Sequence, residues 1–188
     1  MIVKILIVLA VLVIGLLVFV ALQPAHFRVA RSTTIGAPAA ALFERVNDLR
    51  GWPAWSPYAK RDPNMKTAFE GPAAGLGAIY RWDGNNDVGA GSMTVVDSRP
   101  GERVRMRLDF LRPFKGTNTA DFTFAPRAGG ATEVTWTLNG EKNFVSKAAC
   151  LFMNMDKMCG GDFEVGLAQL KTLAEAAPTP QGVAVAVP

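Results

Sequence analysis

The chain has 188 residues, enough for one domain of ordinary size and a short appendage. Its 20 Lys and Arg against 16 Asp and Glu leave a net charge of +4, which is too small and too dispersed to indicate nucleic-acid binding. One His and two Cys exclude a zinc site of the usual kind, so we expect neither a metal nor a cofactor. Cys150 and Cys159 would lie on opposite faces of a shared helix, so no disulfide is expected within it.

The apolar excess of the composition is concentrated at the N-terminus. Residues 5–22 contain no polar side chain, and at about 1.5 Å per residue they form a helix of about 27 Å. With Lys4 snorkelling, residues 2–22 approach the roughly 30 Å hydrocarbon core of a bilayer. This apolar region is longer than that of a signal peptide, and no small-x-small triplet follows it. We therefore predict an uncleaved transmembrane anchor over residues 1–24, with a cleaved signal peptide as the alternative.

Charge around the anchor gives little information on its orientation, because the N-terminal amine and Lys4 oppose Arg28 and Arg31. Very short N-terminal tails usually stay in the cytoplasm. We therefore expect a single-pass protein of the cytoplasmic (inner) membrane with its soluble domain on the outer, periplasmic side. That domain is assigned to residues 25–176. Residues 177–188, rich in Pro, Ala and Val, are assigned to a disordered tail.

Downstream of the anchor, the hydrophobic period changes twice. A strand is predicted over 27–35, and two short helical stretches over 39–46 and 48–55. Period-two alternation then predicts strands over 65–70, 78–83, 92–98, 102–111, 117–126 and 132–138. In the strand over 102–111 one face is apolar, and the other carries Arg103, Arg105 and Arg107. We interpret this arginine row as a solvated face, with contact to anionic headgroups as the alternative.

Period 3.6 resumes over residues 146–176 and predicts a long C-terminal helix. One apolar stripe runs along it, formed by Phe152, Met155, Cys159, Phe163, Leu167, Leu170 and Ala174. A kink or break is expected at Gly160–Gly161, because a Gly pair costs a helix about 2 kcal/mol relative to Ala. Gly166 is predicted to be a close-packing point, since an exposed helical position would not need Gly.

Three segments resemble the START-like superfamily, also called SRPBCC, and within it the bacterial polyketide cyclase/dehydrase branch. Phe27–Pro38 is similar to the opening strand and its I-x-A-P turn, and Val46–Pro57 to the D-x-x-x-W-P-x-W-S-P corner. Asp156–Glu175 is similar to the closing helix with its D-F-x-x-G-L-x-x-L-K pattern. The resemblance covers about residues 27–176, whereas only some bacterial members share the membrane segment. It implies an α+β helix-grip fold, a curved antiparallel sheet wrapped on a long C-terminal helix.

The resemblance also implies a cavity for a hydrophobic ligand between the sheet and the C-terminal helix. Strand alternation and the helix stripe supply the ligand-binding candidates, which are Tyr80, Trp82, Met106, Leu108, Phe110, Phe122, Phe124, Trp136, Phe152, Met155, Cys159 and Phe163. On pattern alone, a packed core is the favoured interpretation of such residues, whereas the resemblance favours a cavity. Tyr80 is the one titratable group expected in the pocket, and it is a weak catalytic candidate beside the simpler interpretation as a core Tyr.

These observations predict a membrane-tethered binding module for a hydrophobic small molecule or lipid, which need not catalyse a reaction. One alternative is a polyketide cyclase/dehydratase-like enzyme with Tyr80 as general acid. Another is an interaction module without a ligand, which would dock a partner through its sheet or through an exposed Trp52/Trp55 patch. The membrane would be contacted through residues 2–22, and the sequence does not indicate a protein partner.

Overall fold

The structure, a computed structural model, describes residues 1–151 and 154–176. Phe152 of the predicted stripe and the predicted tail lie outside the described residues. The helices are α1 (Ile2–Leu22), α2 (Ala39–Asn47), a 3₁₀ helix (Leu49–Ala54), α3 (Pro57–Arg61), α4 (Phe144–Ala149) and α5 (Met155–Ala176). The strands are β1 (His26–Ile35), β2 (Lys66–Glu70), β3 (Ile79–Asp83), β4 (Ala90–Arg99), β5 (Arg103–Arg112), β6 (Gly116–Pro126) and β7 (Thr132–Glu141).

The seven strands form one antiparallel sheet in the order β1-β7-β6-β5-β4-β3-β2. Each predicted strand is present, with bounds that differ by a few residues. One end of the sheet is formed by the first residues of β1, β2, β4 and β6 and the last residues of β3, β5 and β7. We call it the α1 end, because Gln23, Pro24 and Ala25 alone separate α1 from β1 there. The opposite end of the strands is called the far end.

The inner face of the sheet is the one that helix α5 covers. Register pairs Arg31 with Trp136, Trp136 with Phe122 and Phe122 with Val104, so these residues share that face. Helix α5 lies mainly along β1, with further contact to β7 and α3. Helix α2 contacts β5 and β6 instead, so the helices divide the inner face between them.

Arg31 fastens the first half of α5 to β1. Its guanidinium donates to Asp156 at 3.0 Å and to Glu164 at 2.7 Å. A Cβ built on Gly160 would overlap with this guanidinium, so the missing side chain makes room for it. Further along, Lys171 donates to the Thr34 carbonyl at 2.9 Å.

The predicted break at Gly160–Gly161 is wrong, because α5 is continuous from Met155 to Ala176. The helical region is interrupted earlier: α4 ends at Ala149, with Cys150 as its C-cap. Gly160 is tolerated inside α5 because Arg31 occupies the space that a side chain would need. Cys150 and Cys159 are free thiols and belong to different helical segments rather than to one helix.

The arginine row lies on the outer face of β5 and is already paired with carboxylates. Arg103 pairs with Asp97, Arg105 with Asp121 at 2.6 Å and Arg107 with Asp109 at 2.8 Å. Because each guanidinium has its own carboxylate, this face presents little unpaired positive charge.

Candidate functional site

The predicted ligand-binding residues fall into two groups by burial. Five of them are buried, and they are Met106, Phe122, Phe124, Trp136 and Phe163. The rings of Trp136 and Phe163 stack with centroids 4.2 Å apart, and Phe122 lies 4.8 Å from Trp136. These side chains therefore fill the space between β6, β7 and α5 as a packed core.

The WPAWSP corner completes this core from the other side. Trp52 and Trp55 are only 6% and 1% exposed, and their ring centroids are 4.6 Å apart. The Trp52 indole N–H donates to the Val46 carbonyl at 2.8 Å, which holds the corner in place. The expectation of an exposed Trp52/Trp55 docking patch is therefore wrong, because both rings are used in the core.

The second group is only half-buried, and it is formed by Tyr80, Trp82, Leu108, Phe110, Met155 and Cys159. We call it the half-buried set. Its four sheet residues lie on the inner face, since Tyr80 and Leu108 both pair with Met93, and Trp82 and Phe110 both pair with Gly91. On α5, the Cys159 sulfur lies 3.6 Å from that of Met155.

Aromatic rings of the half-buried set continue into a strip across β2 to β5. Tyr80 lies 5.3 Å from Phe69 and 6.1 Å from Trp82, and Trp82 lies 5.7 Å from Phe110, measured between ring centroids. The Trp82 indole crosses Gly91, where a Cβ would come within 2.7 Å of its ring. Its N–H donates to the Val88 carbonyl at 3.1 Å, which fixes the ring orientation. The aromatic strip, Phe69, Tyr80, Trp82 and Phe110, is therefore an ordered apolar surface.

The strip is open because of where the helices lie. Helix α5 runs mainly along β1, and α2 contacts β5 and β6. Within the described part of the chain, the main helical contact of β3 is with the short 3₁₀ helix. The inner face of β2 to β5 at the α1 end is therefore less covered than the part of that face beneath α5.

The candidate site is open rather than enclosed. A recess of about 490 Å³ at the α1 end is lined by β1, β6 and β7 residues, and another of about 360 Å³ lies between α2, the 3₁₀ helix and α5. Neither is lined by a residue of the half-buried set. The half-buried set thus offers a ligand an apolar surface beside the core.

Tyr80 has aromatic rather than charged neighbours within the strip. Burial raises the pKa of its phenol above the ordinary value. Arg81 and Asp83, which follow on β3, point to the outer face, where Arg81 pairs with Glu70 and Asp83 with Arg112. Among the residues that the structure describes, Tyr80 therefore lacks the acidic or basic partner that a proton-transferring Tyr would use.

The sequence did not single out a polar cluster formed by Tyr58, Arg61, Asp162 and Cys159, where α3 packs on α5. Arg61 pairs with the buried carboxylate of Asp162. Burial, and then the Asp162 charge, raises the pKa of the Tyr58 phenol and that of the Cys159 thiol, the latter to about 11. Both groups are therefore protonated at neutral pH, and Cys159 is not an activated nucleophile. The cluster joins residues 101 positions apart, a distance that no local motif reveals.

A seven-stranded antiparallel sheet closed by a long C-terminal helix defines the helix-grip class of folds. The family model described as "Polyketide cyclase / dehydrase and lipid transport" matches residues 26–175. The chain belongs to this SRPBCC-type family, as its resemblance predicted. No curated protein matches it, so the assignment stands on the family model and the fold.

Solved structures support the same fold. Protein CV1439 from Chromobacterium violaceum matches with a TM-score of 0.56 at 18% identity, over 82% of this chain and 100% of that chain. The Aha1 dimer from Colwellia psychrerythraea matches with a TM-score of 0.58 at 16% identity, over 80% and 97%. DynU16, from the dynemicin biosynthetic locus, matches with a TM-score of 0.53 at 18% identity, over 79% and 47%. Identities this low establish likeness of fold alone.

Proposed function

We propose that this protein is a membrane-tethered binding module that holds a hydrophobic small molecule or lipid against the aromatic strip, on the part of the inner face that α5 leaves open. The observation that carries the proposal is the half-buried set. Six predicted ligand residues remain partly exposed, whereas five others are packed into the core. An ordered apolar surface beside a packed core is suited to an apolar ligand.

Helix α1 supports the tethered form of this module. It has the length and composition of a membrane span, with 6% of its most apolar stretch buried against the rest of the protein. Its C-terminal end contacts α4, where Val20 is buried and the Lys147 ammonium donates to the Ala21 carbonyl at 2.9 Å. The apolar length of α1 is therefore free for lipid, while its last turn is joined to the soluble domain.

Binding without chemistry is favoured over the cyclase/dehydratase alternative by the surroundings of Tyr80. A general acid works best when its pKa lies near the operating pH, and burial moves the pKa of this phenol away from neutrality. The strip provides stacking surfaces and a fixed indole, which recognise shape and apolar area.

Photolabelling of the full chain in lipid nanodiscs with a diazirine-bearing fatty acid tests the proposal. We expect adducts on peptides of the strip and on α1, which serves as an internal standard for lipid contact. Leu108→Trp fills the open surface and should reduce the strip adducts several-fold, with α1 adducts unchanged.

Leu76→Trp is the matched control, because Leu76 is 65% exposed in the loop between β2 and β3 at the far end. It should change neither set of adducts, and a thermal melt of each variant separates loss of binding from loss of folding. The proposal is contradicted if the unsubstituted protein gives no adducts on the strip. It is also contradicted if these adducts persist in a folded Leu108→Trp variant.

A further inference from the structure

Exposed apolar side chains gather at the α1 end, outside the half-buried set. They lie in two neighbouring parts of the chain, the end of β5 with its turn to β6 and the start of α4. Leu111 and Phe114 are 57% and 52% exposed, and Phe144 and Val145 are 46% and 58% exposed. We call these four residues the apolar rim. The ends of β5 and β7 are two strand spacings apart, about 10 Å, so the two halves of the rim belong to one surface.

Unpaired positive charge accompanies the apolar rim. Lys115 lies in the same turn as Phe114, and Lys142 follows β7 just before α4. Among the described residues, neither has a carboxylate partner. The nearby carboxylates of Asp83 and Asp109 are paired with Arg112 and Arg107, and the Glu141 carboxylate lies 3.4 Å from the exposed imidazole of His26. Asp87, in the turn from β3 to β4, forms no ion pair among the described residues, and neither does Asp62, which accepts from the Asn85 N–H of that turn at 2.7 Å.

The path of the chain brings this surface to the membrane in which α1 would lie. Gln23, Pro24 and Ala25 allow at most about 14 Å between the end of α1 and the start of β1. The contact of Lys147 with the Ala21 carbonyl holds α4, and the rim residues on it, beside the last turn of α1. Apolar side chains flanked by lysines are the combination that inserts at an anionic interface.

We propose that the apolar rim and its lysines dock the soluble domain onto the surface of the bilayer that holds α1. This inference rests on the membrane tether of the proposed function and adds to it a defined orientation of the domain. Docking in this orientation turns the α1 end of the aromatic strip towards the lipid. The ligands of the aromatic strip are then restricted to molecules that partition into the bilayer.

Spin-label accessibility in proteoliposomes tests the orientation. Single cysteines would replace Leu111, Phe114 or Leu76 in the full chain, after Cys150→Ser and Cys159→Ala remove the native thiols. Vesicles of phosphatidylcholine with phosphatidylglycerol are compared with vesicles of phosphatidylcholine alone. The measured quantity is the ratio of relaxation by oxygen, which enriches in lipid, to relaxation by a water-soluble nickel complex.

We expect the ratio at Leu111→Cys and Phe114→Cys to exceed that at Leu76→Cys several-fold. It should fall with added salt on the anionic vesicles, because screening weakens the lysine contribution. A Leu12→Cys label within α1 reports on the tether itself. If the rim labels are as exposed to water as the Leu76→Cys label while the Leu12→Cys label lies in lipid, the docking is wrong. The proposed function is not contradicted by that result. A water-exposed Leu12→Cys label overturns the tether, and the docking with it.

Discussion

Gly166 is a residue at which packing opposes the conformational preference of the helix. A Cβ at this position would lie 2.8 Å from the Trp136 ring and 3.2 Å from Pro57. The prediction of a close-packing point is confirmed, because the contact joins α5 to both the sheet and α3. Glycine is retained here despite a propensity loss of about 1 kcal/mol relative to Ala.

Gly166→Ala should therefore destabilise the protein by about 1–3 kcal/mol, the usual effect of overpacking. Gly161→Ala is the matched control in the same helix, because no atom lies within 4 Å of its added Cβ. That control should gain stability, by up to about 1 kcal/mol. Urea unfolding of the two variants measures the difference, and a Gly166→Ala variant as stable as Gly161→Ala would contradict the packing.

Substitutions of Tyr80 distinguish a binding role from a catalytic role, because the hydroxyl group can be removed with or without the aromatic ring. The ring stacks with Trp82, whereas the phenol has no charged partner in the strip. Tyr80→Phe should leave photolabelling of the strip unchanged, and Tyr80→Ala should reduce it several-fold, because the ring provides the apolar area. Equal losses in both variants would show that the hydroxyl matters and would favour the enzyme alternative.

Among the elements, strands were more predictable than the C-terminal helical region. Alternation in β5 correctly separated Met106 on the inner face from Arg105 on the outer face, since period two follows directly from strand geometry. The prediction of a helix break at Gly160 was wrong, because the reason for a glycine at this position lies elsewhere in the chain. Arg31 enters the space at Gly160 from β1, and a contact between elements so distant in sequence leaves no local pattern.

The candidate site was predictable in composition and not in shape. Strand alternation correctly put Tyr80 and Phe122 on the same face, but it carries no information about which part of that face a helix covers. Helix α2 contacts β6, and the Phe122 ring packs on Trp52 and Trp55, so Phe122 is buried. Strand β3 has its main helical contact with the short 3₁₀ helix, and Tyr80 is half-buried. The Tyr58–Asp162 neighbourhood was missed for the same reason, because docking of α3 on α5 creates it.

Arg31 makes the contact between β1 and α5 that we expect to stabilise the first half of α5. Arg31→Met should speed amide hydrogen exchange over residues 155–164 several-fold, because the bonds to Asp156 and Glu164 are lost. Arg28→Met is the matched control on the same strand, since Arg28 is exposed and contributes no such bond. Unchanged exchange in Arg31→Met would contradict this role.

The same contact has a defined pH dependence. The hydrogen bond from Arg31 lowers the pKa of Asp156 below its ordinary value. A lowered folded-state pKa stabilises the fold above the ordinary carboxyl pKa and loses that effect as pH falls through the lowered value. The stability difference between the parent and Arg31→Met should therefore be largest at neutral pH and shrink below about pH 4. Melts across this range measure it, and a difference that grows on acidification would contradict the assignment.

At the scale of the whole molecule, α1 is joined to the rest of the described protein by contacts with α4 as well as by residues 23–25. The α1 end carries the aromatic strip, the apolar rim and the joint between α1 and α4. Core residues such as Trp52, Trp136 and Phe163 lie deeper, beneath α2 and α5. The packed core therefore provides the stability of the fold, and the exposed apolar surface lies at the end of the sheet that adjoins α1.

The whole-molecule prediction is that α1 remains attached in the mature protein. Cleavage near Ala25 would remove Val20, which is buried, and the carbonyl of Ala21 to which Lys147 donates. Protein extracted from bacterial membranes should therefore have the mass of the full chain, about 20.1 kDa. The double variant Val20→Ala, Leu22→Ala is the control, because it places small residues on both sides of Ala21 and so creates the missing cleavage triplet. If the variant is cleaved and the parent is not, the result supports an intact anchor whose C-terminal end faces the outer side of the membrane. A parent protein that begins near Ala25 contradicts the anchor.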